Sequence, residues 1–222
     1  MDFMKLIESL DEALYSVMSW LVFYPLTLWR TILRPLHMMD YADREVSDRP
    51  GQQYEDAIRP PLFLFLTLLI SHGLESLVVG QNPLIRSRHG LAALVDSDLA
   101  LLGLRLFMFS LFTMTMAVRM LQRQGARLTH ANLRRPFYGQ CFAAAPFALL
   151  IGAGTLLRGS FHAGLQPAGL VVVLVAVGWY LGVQSYWFST KLRIKLLAGF
   201  GNAILAFTIS SVLFVIAAVL IS

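Results

Sequence analysis

The stretch ISHGLESLVVG, residues 70–80, places His72 and Glu75 one helical turn apart inside an apolar run, and Arg105 stands alone in a second such run. Ionisable side chains in hydrocarbon are costly, so they are paired or functional. Positions three apart on a helix are neighbours, which makes His72 and Glu75 one polar patch. If the first run crosses outward and the second returns, Glu75 lies about five residues, roughly 8 Å, from the outer end of its helix. Arg105 then lies about seven residues, roughly 10 Å, below the same surface. The matching depths predict a Glu75–Arg105 pair with His72 bracketing it from below. Two roles are open to these residues. One is an ion pair that fixes helix register. The other is a polar pathway in which His72 and Glu75 exchange protons or bind a cation or an anionic headgroup.

Other chemistry is thin. Asp96 and Asp98 in DSD are two carboxylates that could hold a divalent cation, but Ser97 and Asp98 also read as the cap of a helix start. His72 and Glu75 lack the HExxH spacing of a zinc protease, and neither GxSxG nor GxxxxGK[ST] occurs. GAGTLLRG, residues 152–159, follows no strand, so its glycines read as helix packing rather than a dinucleotide site. Cys141 is the single cysteine, which leaves neither an internal disulfide nor a zinc site and points to a small buried residue. The expectation is a non-enzymatic protein with no metal and no cofactor.

The elements that position these residues follow from composition. Of 222 residues 57% are hydrophobic and 14% charged, too apolar for one soluble core. Apolar stretches long enough to cross hydrocarbon as helices lie at roughly 61–80, 98–118, 139–157, 168–189 and 200–221. No alternating strand pattern argues for a barrel. The fold expected is all-α: a polytopic integral membrane protein of five transmembrane helices over 61–222, preceded by an amphipathic and interfacial segment over 1–60.

The basic residues set an orientation. If residues 1–60 are cytoplasmic, that side receives fourteen Lys and Arg and the other only Arg86, Arg88 and Arg158, with Arg105 inside a span. The C-terminal Ser222 then faces outward. Five of the fourteen, Arg119, Arg123, Arg127, Arg134 and Arg135, fall in RMLQRQGARLTHANLRRP, read as a basic loop over 119–136. Positive-inside topology accounts for it. Contact with anionic lipid headgroups or an acidic partner is the sharper reading. Nucleic acid is disfavoured, because no aromatics interleave with the arginines as a stacking platform requires.

The N-terminal twenty residues begin acidic, lack the pattern of a signal peptide and read as an amphipathic helix through Phe3, Ile7, Leu10, Leu14, Val17, Met18 and Leu21. Residues 20–36, with Pro25 in the middle of a short apolar run, are expected to be interfacial or re-entrant, a tilted extra span being the rival reading. DYADREVSDRPGQQYEDAIRPP, residues 40–61, reads as a polar linker or hinge. No internal repeat points to an inverted-repeat transporter.

Gln140, Gln184 and Asn202, with Tyr138 and Tyr186 near by, form a polar group at the cytoplasmic ends of the last three spans, best read as interhelical hydrogen bonding. Gly178 and Gly182 make a GxxxG that permits close approach within the bundle or in a dimer.

The helix order, YGQCFAAAPFALL opening the third span (Tyr138 to Leu150), and VGWYLGVQSYWFSTKLRIKLLAGFGNAI over the fourth span and its loop together resemble the Yip domain. This is the five-span family named for proteins that interact with Ypt and Rab GTPases, with bacterial inner-membrane members. Tyr138, the following alanines and Pro146 carry most of the likeness. The resemblance implies a non-catalytic protein that organises or assembles a membrane complex, with lipids and either a second copy or another membrane protein as partners. No functional residue is carried over from it. The rival expectation is a small permease or channel, oligomeric, whose path passes His72, Glu75 and Arg105.

Overall fold

The computed structural model describes residues 3–47, 53–79, 98–159 and 166–220, and these contain helices and no strand. The helices are α1 (Phe3–Leu33), α2 (Pro35–Glu45), α3 (Pro60–Val79), α4 (Asp98–Gln124), α5 (His130–Gly159), α6 (Gln166–Leu192) and α7 (Leu196–Leu220). The last five are long and apolar enough to cross a membrane. Each satisfies its backbone internally, as hydrocarbon demands. Hydroxyls on these helices turn back to their own backbone, as Thr115 Oγ1 does to the Leu111 carbonyl and Ser210 Oγ to that of Ala206.

The centre of the bundle is α5. Its apolar window is 56% buried, against 28–33% for the other four spans, so α5 alone has protein on most sides. It packs against α1, α2, α3, α4 and α6, while α7 closes on α4 and α6. Lipid tails are as apolar as leucine, so association of these helices depends on close packing. The sequence meets that need with small residues: Ala143, Ala144 and Ala145 are fully buried on α5, next to the fully buried Cys141. On one side, Phe142 of α5 meets Phe63 of α3, ring centres 5.7 Å apart, over a core completed by Met38 of α2 and by Tyr54 and Ile58. On the other, Phe147 stacks on Tyr180 of α6 at 4.4 Å, and Phe112 of α4 and Phe207 of α7 close the cluster.

The spans run past the apolar stretches at their basic end. α4 continues to Gln124 because Arg119 to Gln124 are all good helix formers, and it stops where Gly125 takes φ 66°. The Gly125 amide then bonds the Gln122 carbonyl at 3.2 Å and the Ala126 amide that of Leu121 at 3.1 Å, the paired closure of a Schellman end. α5 begins at His130, capped by Thr129, whose Oγ1 accepts from the Asn132 amide at 3.2 Å. The expected basic loop over 119–136 is therefore two helix ends joined by residues 125–129: Arg119 and Arg123 belong to α4, Arg134 and Arg135 to α5, and Arg127 alone to the connection.

Two further expectations are corrected. Residues 3–33 form one continuous helix through Pro25, rather than an amphipathic helix followed by a separate re-entrant segment. The helix survives the lost hydrogen bond because it is held on both sides of the proline. Tyr24 donates to Thr67 Oγ1 of α3 at 3.2 Å, and the fully buried Thr27 accepts the Ile58 amide at 3.3 Å. The stretch 40–61 is also not wholly a linker, since residues 40–45 complete α2. α2 packs on α5 through Met38 and Met39, which are buried. The Met39 backbone lies 3.4 Å from where a Cβ would stand on Gly139.

Candidate functional site

Charged groups gather at the two opposite ends of the bundle. At the end formed by the last turns of α3 and the first turns of α4, Arg105 Nη2 donates to Glu75 Oε2, with side chains 18% and 15% exposed. α3 and α4 bring Glu75 and Arg105 together, and His72 is buried one turn below Glu75. The pair joins two helices that otherwise meet over a short stretch. Its low exposure means each charge depends on the other. Asp96 and Ser97 of the DSD stretch, with Arg86 and Arg88, lie outside the described residues.

The basic end is more elaborate. Lys191, in the last turn of α6, donates to Asp40 at 2.7 Å and to Asp43 at 2.6 Å, both on α2. Its ammonium also sits 4.5 Å from the centre of the Trp187 ring one turn earlier on the same helix. Burial pushes the Asp43 carboxyl above its usual range, against the downward pull of Lys191. Arg135 Nη2 of α5 donates to Ser47 Oγ just beyond α2. Arg119 donates through Nε to Asn202 Oδ1 of α7 at 3.0 Å. The Arg134 guanidinium lies over the Tyr138 ring at 5.2 Å. Arg123 and Arg127 are exposed. Three of the five arginines read as lipid or partner contacts thus also serve the fold.

The polar group expected among the last three spans divides. Gln140 and Gln184 form a reciprocal pair between α5 and α6, Gln140 Nε2 to Gln184 Oε1 at 3.0 Å and Gln184 Nε2 to Gln140 Oε1 at 2.5 Å, both residues fully buried. Each side-chain amide satisfies the other, which suits hydrogen bonding between helices. Asn202 does not join them: its Oδ1 accepts from Arg119, and its Nδ2 donates to the Ala198 carbonyl at 2.8 Å. Tyr138 packs beside Tyr54, and Tyr186 is exposed. The GxxxG of Gly178 and Gly182 faces open space, whereas Gly152, Gly154, Gly169 and Gly199 stand at close crossings.

Sequence reading overlooked the α2–α6 clamp. Its signal was present: acids at 40 and 43 share a helical face, and Lys191 follows Trp187 by one turn. Reading 40–61 as linker hid it. Among the described residues no group of three or more His, Cys, Asp and Glu could hold a metal ion.

Comparison with protein-family models, curated proteins and solved structures finds no match to this chain. The likeness to the Yip domain rests on the quoted residues and the helix order alone.

Proposed function

We propose that this chain is a non-enzymatic integral membrane protein of Yip-like type that organises or assembles a membrane complex. In this reading it resides in a bacterial inner membrane with its basic end in the cytoplasm. The observation that carries it is the division of α1. From Trp20 to Thr31 the helix docks on α3 and the segment before it. From Ile7 to Val22 it leaves large apolar side chains uncovered, among them Leu10 at 59%, Tyr15 and Leu21 at 75%, and Met18 at 66% exposed. A run of this kind, interspersed with Asp11 and Glu12, needs a protein or a headgroup zone to cover it. Anchored at one end and uncovered at the other, α1 is built to reach a second copy or another membrane protein, with exposed Arg123 and Arg127 on anionic headgroups.

The test is crosslinking and capture from native membranes with the intact chain and with one lacking residues 3–18, a cut that spares the docked half of α1. A stoichiometric partner or second copy, lost on truncation, is the expected result. Equal capture by both forms would overturn the reading. The Glu75–Arg105 pair beside His72 favours a second reading, a small permease or channel. In that case Glu75→Gln combined with Arg105→Gln abolishes flux into liposomes while the protein still folds, whereas under the first reading the double variant keeps its partner.

A further inference from the structure

We propose that the groove on the flank of α5 beside Met114 of α4 holds one anionic phospholipid, with an acyl chain on its apolar wall and the phosphate on Arg134. The groove has a volume of about 550 Å³, and its lining includes His130, Leu133, Arg134, Phe137 and Tyr138 of α5 with Met114 of α4. The first observation is the state of Arg134. Its side chain is exposed, and its guanidinium lies over the Tyr138 ring at 5.2 Å. Stacking uses the flat face of a guanidinium and leaves its five N–H groups at the edge free to donate. Among the described residues no carboxylate pairs with it and no side-chain hydrogen bond occupies it. Its neighbours at this end are already engaged: Arg135 donates to Ser47, and Lys191 is neutralised by Asp40 and Asp43. Arg134 is thus a cation held in place by a ring and not by an acid.

The second observation is the charge of the whole groove. No carboxylate stands in the described lining, and His130 adds a ring N–H to the Arg134 fork. Every phospholipid offers a phosphate to such donors. A headgroup that also carries an ammonium would need an acid beside it, and this lining has none to give. The groove therefore favours a headgroup of net negative charge.

The third observation is the order of the lining along the helices. The apolar stretch of α5 begins near residue 139, and that of α4 ends near residue 118. At 1.5 Å per residue, Arg134 stands about five residues, roughly 7 Å, outside the apolar stretch, and Met114 about four residues, roughly 6 Å, inside it. The donors therefore lie toward the helix ends, and the apolar wall of Phe137, Tyr138 and Met114 runs toward the middle of the bundle. That is the polarity of a phospholipid lying along the helices in its own leaflet. An acidic protein segment could satisfy Arg134, but it would have to enter the apolar stretch to fill the rest of the groove. The proposal goes beyond the recruiting role of α1, and neither reading depends on the other.

The test uses the full chain in maltoside micelles and native mass spectrometry, which counts the lipids bound to each chain. The probes are phosphatidylglycerol and phosphatidylethanolamine with the same acyl chains, and soluble glycerophosphoglycerol as a competitor without chains. One phosphatidylglycerol is expected to bind saturably, about tenfold more tightly than phosphatidylethanolamine, and to resist displacement by the soluble headgroup. Arg134→Gln should weaken that binding by about tenfold or more, and Met114→Trp, which fills the apolar end, should do the same. Arg123→Gln removes an exposed charge outside the groove lining and should leave the affinity unchanged. If Met114→Trp does not fold, the comparison of the two exposed arginines still decides. Equal affinity for the two lipids, equal losses in Arg134→Gln and Arg123→Gln, or displacement by glycerophosphoglycerol would overturn the proposal. Capture of an acidic protein through Arg134 in place of lipid would also overturn it, by assigning the groove to a protein.

Discussion

Arg105 stays charged between α3 and α4 because Glu75 receives it, and neither side chain has enough exposure to be solvated alone. Removing one member takes away the counter-charge of the other, so Glu75→Gln and Arg105→Gln are each expected to cost about 3 kcal/mol, while the double variant recovers most of the loss. Equilibrium unfolding in mixed micelles measures this cycle, and additive losses would show that the pair is not coupled. Lys191 makes a parallel case with two acids. Replacing it by Met leaves the largely buried Asp43 beside Asp40 with Arg135 as its remaining counter-charge, at a cost of about 2 kcal/mol. Adding Asp43→Asn should restore most of that stability. The first pair was legible because two charges at matching depth in apolar runs announce themselves. The second was not, since Lys191 reads simply as a positive-inside residue until α2 is known to be a helix that turns Asp40 and Asp43 toward it.

Helices in this bundle meet where glycine allows it, and the structure separates glycines that matter to the fold from those that do not. A Cβ on Gly169 of α6 would stand 2.6 Å from the Gly154 carbonyl oxygen and 2.7 Å from the Arg158 backbone nitrogen, whereas one on Gly178 meets nothing within 4 Å. Gly169→Val is therefore expected to lose roughly 1–3 kcal/mol through overpacking, and Gly178→Val to leave monomer stability nearly unchanged. The same unfolding assay distinguishes them. Sequence singled out Gly178 and Gly182 because their spacing is regular, but spacing does not reveal which face of α6 meets α5. α1 shows a related limit. Its proline marked a break by local rules, and tertiary contacts through Tyr24 and Thr27 overrode it.

The junction of α1 with the chain before α3 is expected to loosen in acid. Tyr41 Oη donates to Asp56 Oδ1 at 2.5 Å, which is the main cause holding the Asp56 carboxyl below its ordinary 3.8, with Arg30 acting in the same direction. A depressed folded pKa contributes stability that is present above the unfolded value and is lost as pH falls through the folded one. Hydrogen exchange at residues 27–33 and 56–58 should therefore stay slow at neutral pH and accelerate only in acid below 3.8. Tyr41→Phe should move that loss upward toward the ordinary carboxylate range, and an unshifted profile would show that Asp56 is not the group responsible.

If the five long apolar helices cross in alternation, the sequence assigns fourteen basic residues to one side of the membrane and three to the other, which would give the molecule a direction as well as a fold. Charge asymmetry of this size orients a chain during insertion, because Lys and Arg near a span resist translocation. The exposed side chains at each end make this measurable. Cys141 is the only cysteine and is fully buried, so Cys141→Ala provides a thiol-free background that keeps a small residue in the core. Leu128, 63% exposed in the connection between α4 and α5, then reports the basic end as Leu128→Cys. Gln166, exposed at the start of α6, reports the opposite end as Gln166→Cys. In intact spheroplasts a membrane-impermeant maleimide is expected to label the variant at 166 and to reach the variant at 128 only after the membrane is opened. The reverse pattern would invert the molecule and place the α2–α6 clamp and the uncovered half of α1 outside the cell. Labelling of both variants in intact spheroplasts would instead indicate two orientations, which a charge difference this large should forbid.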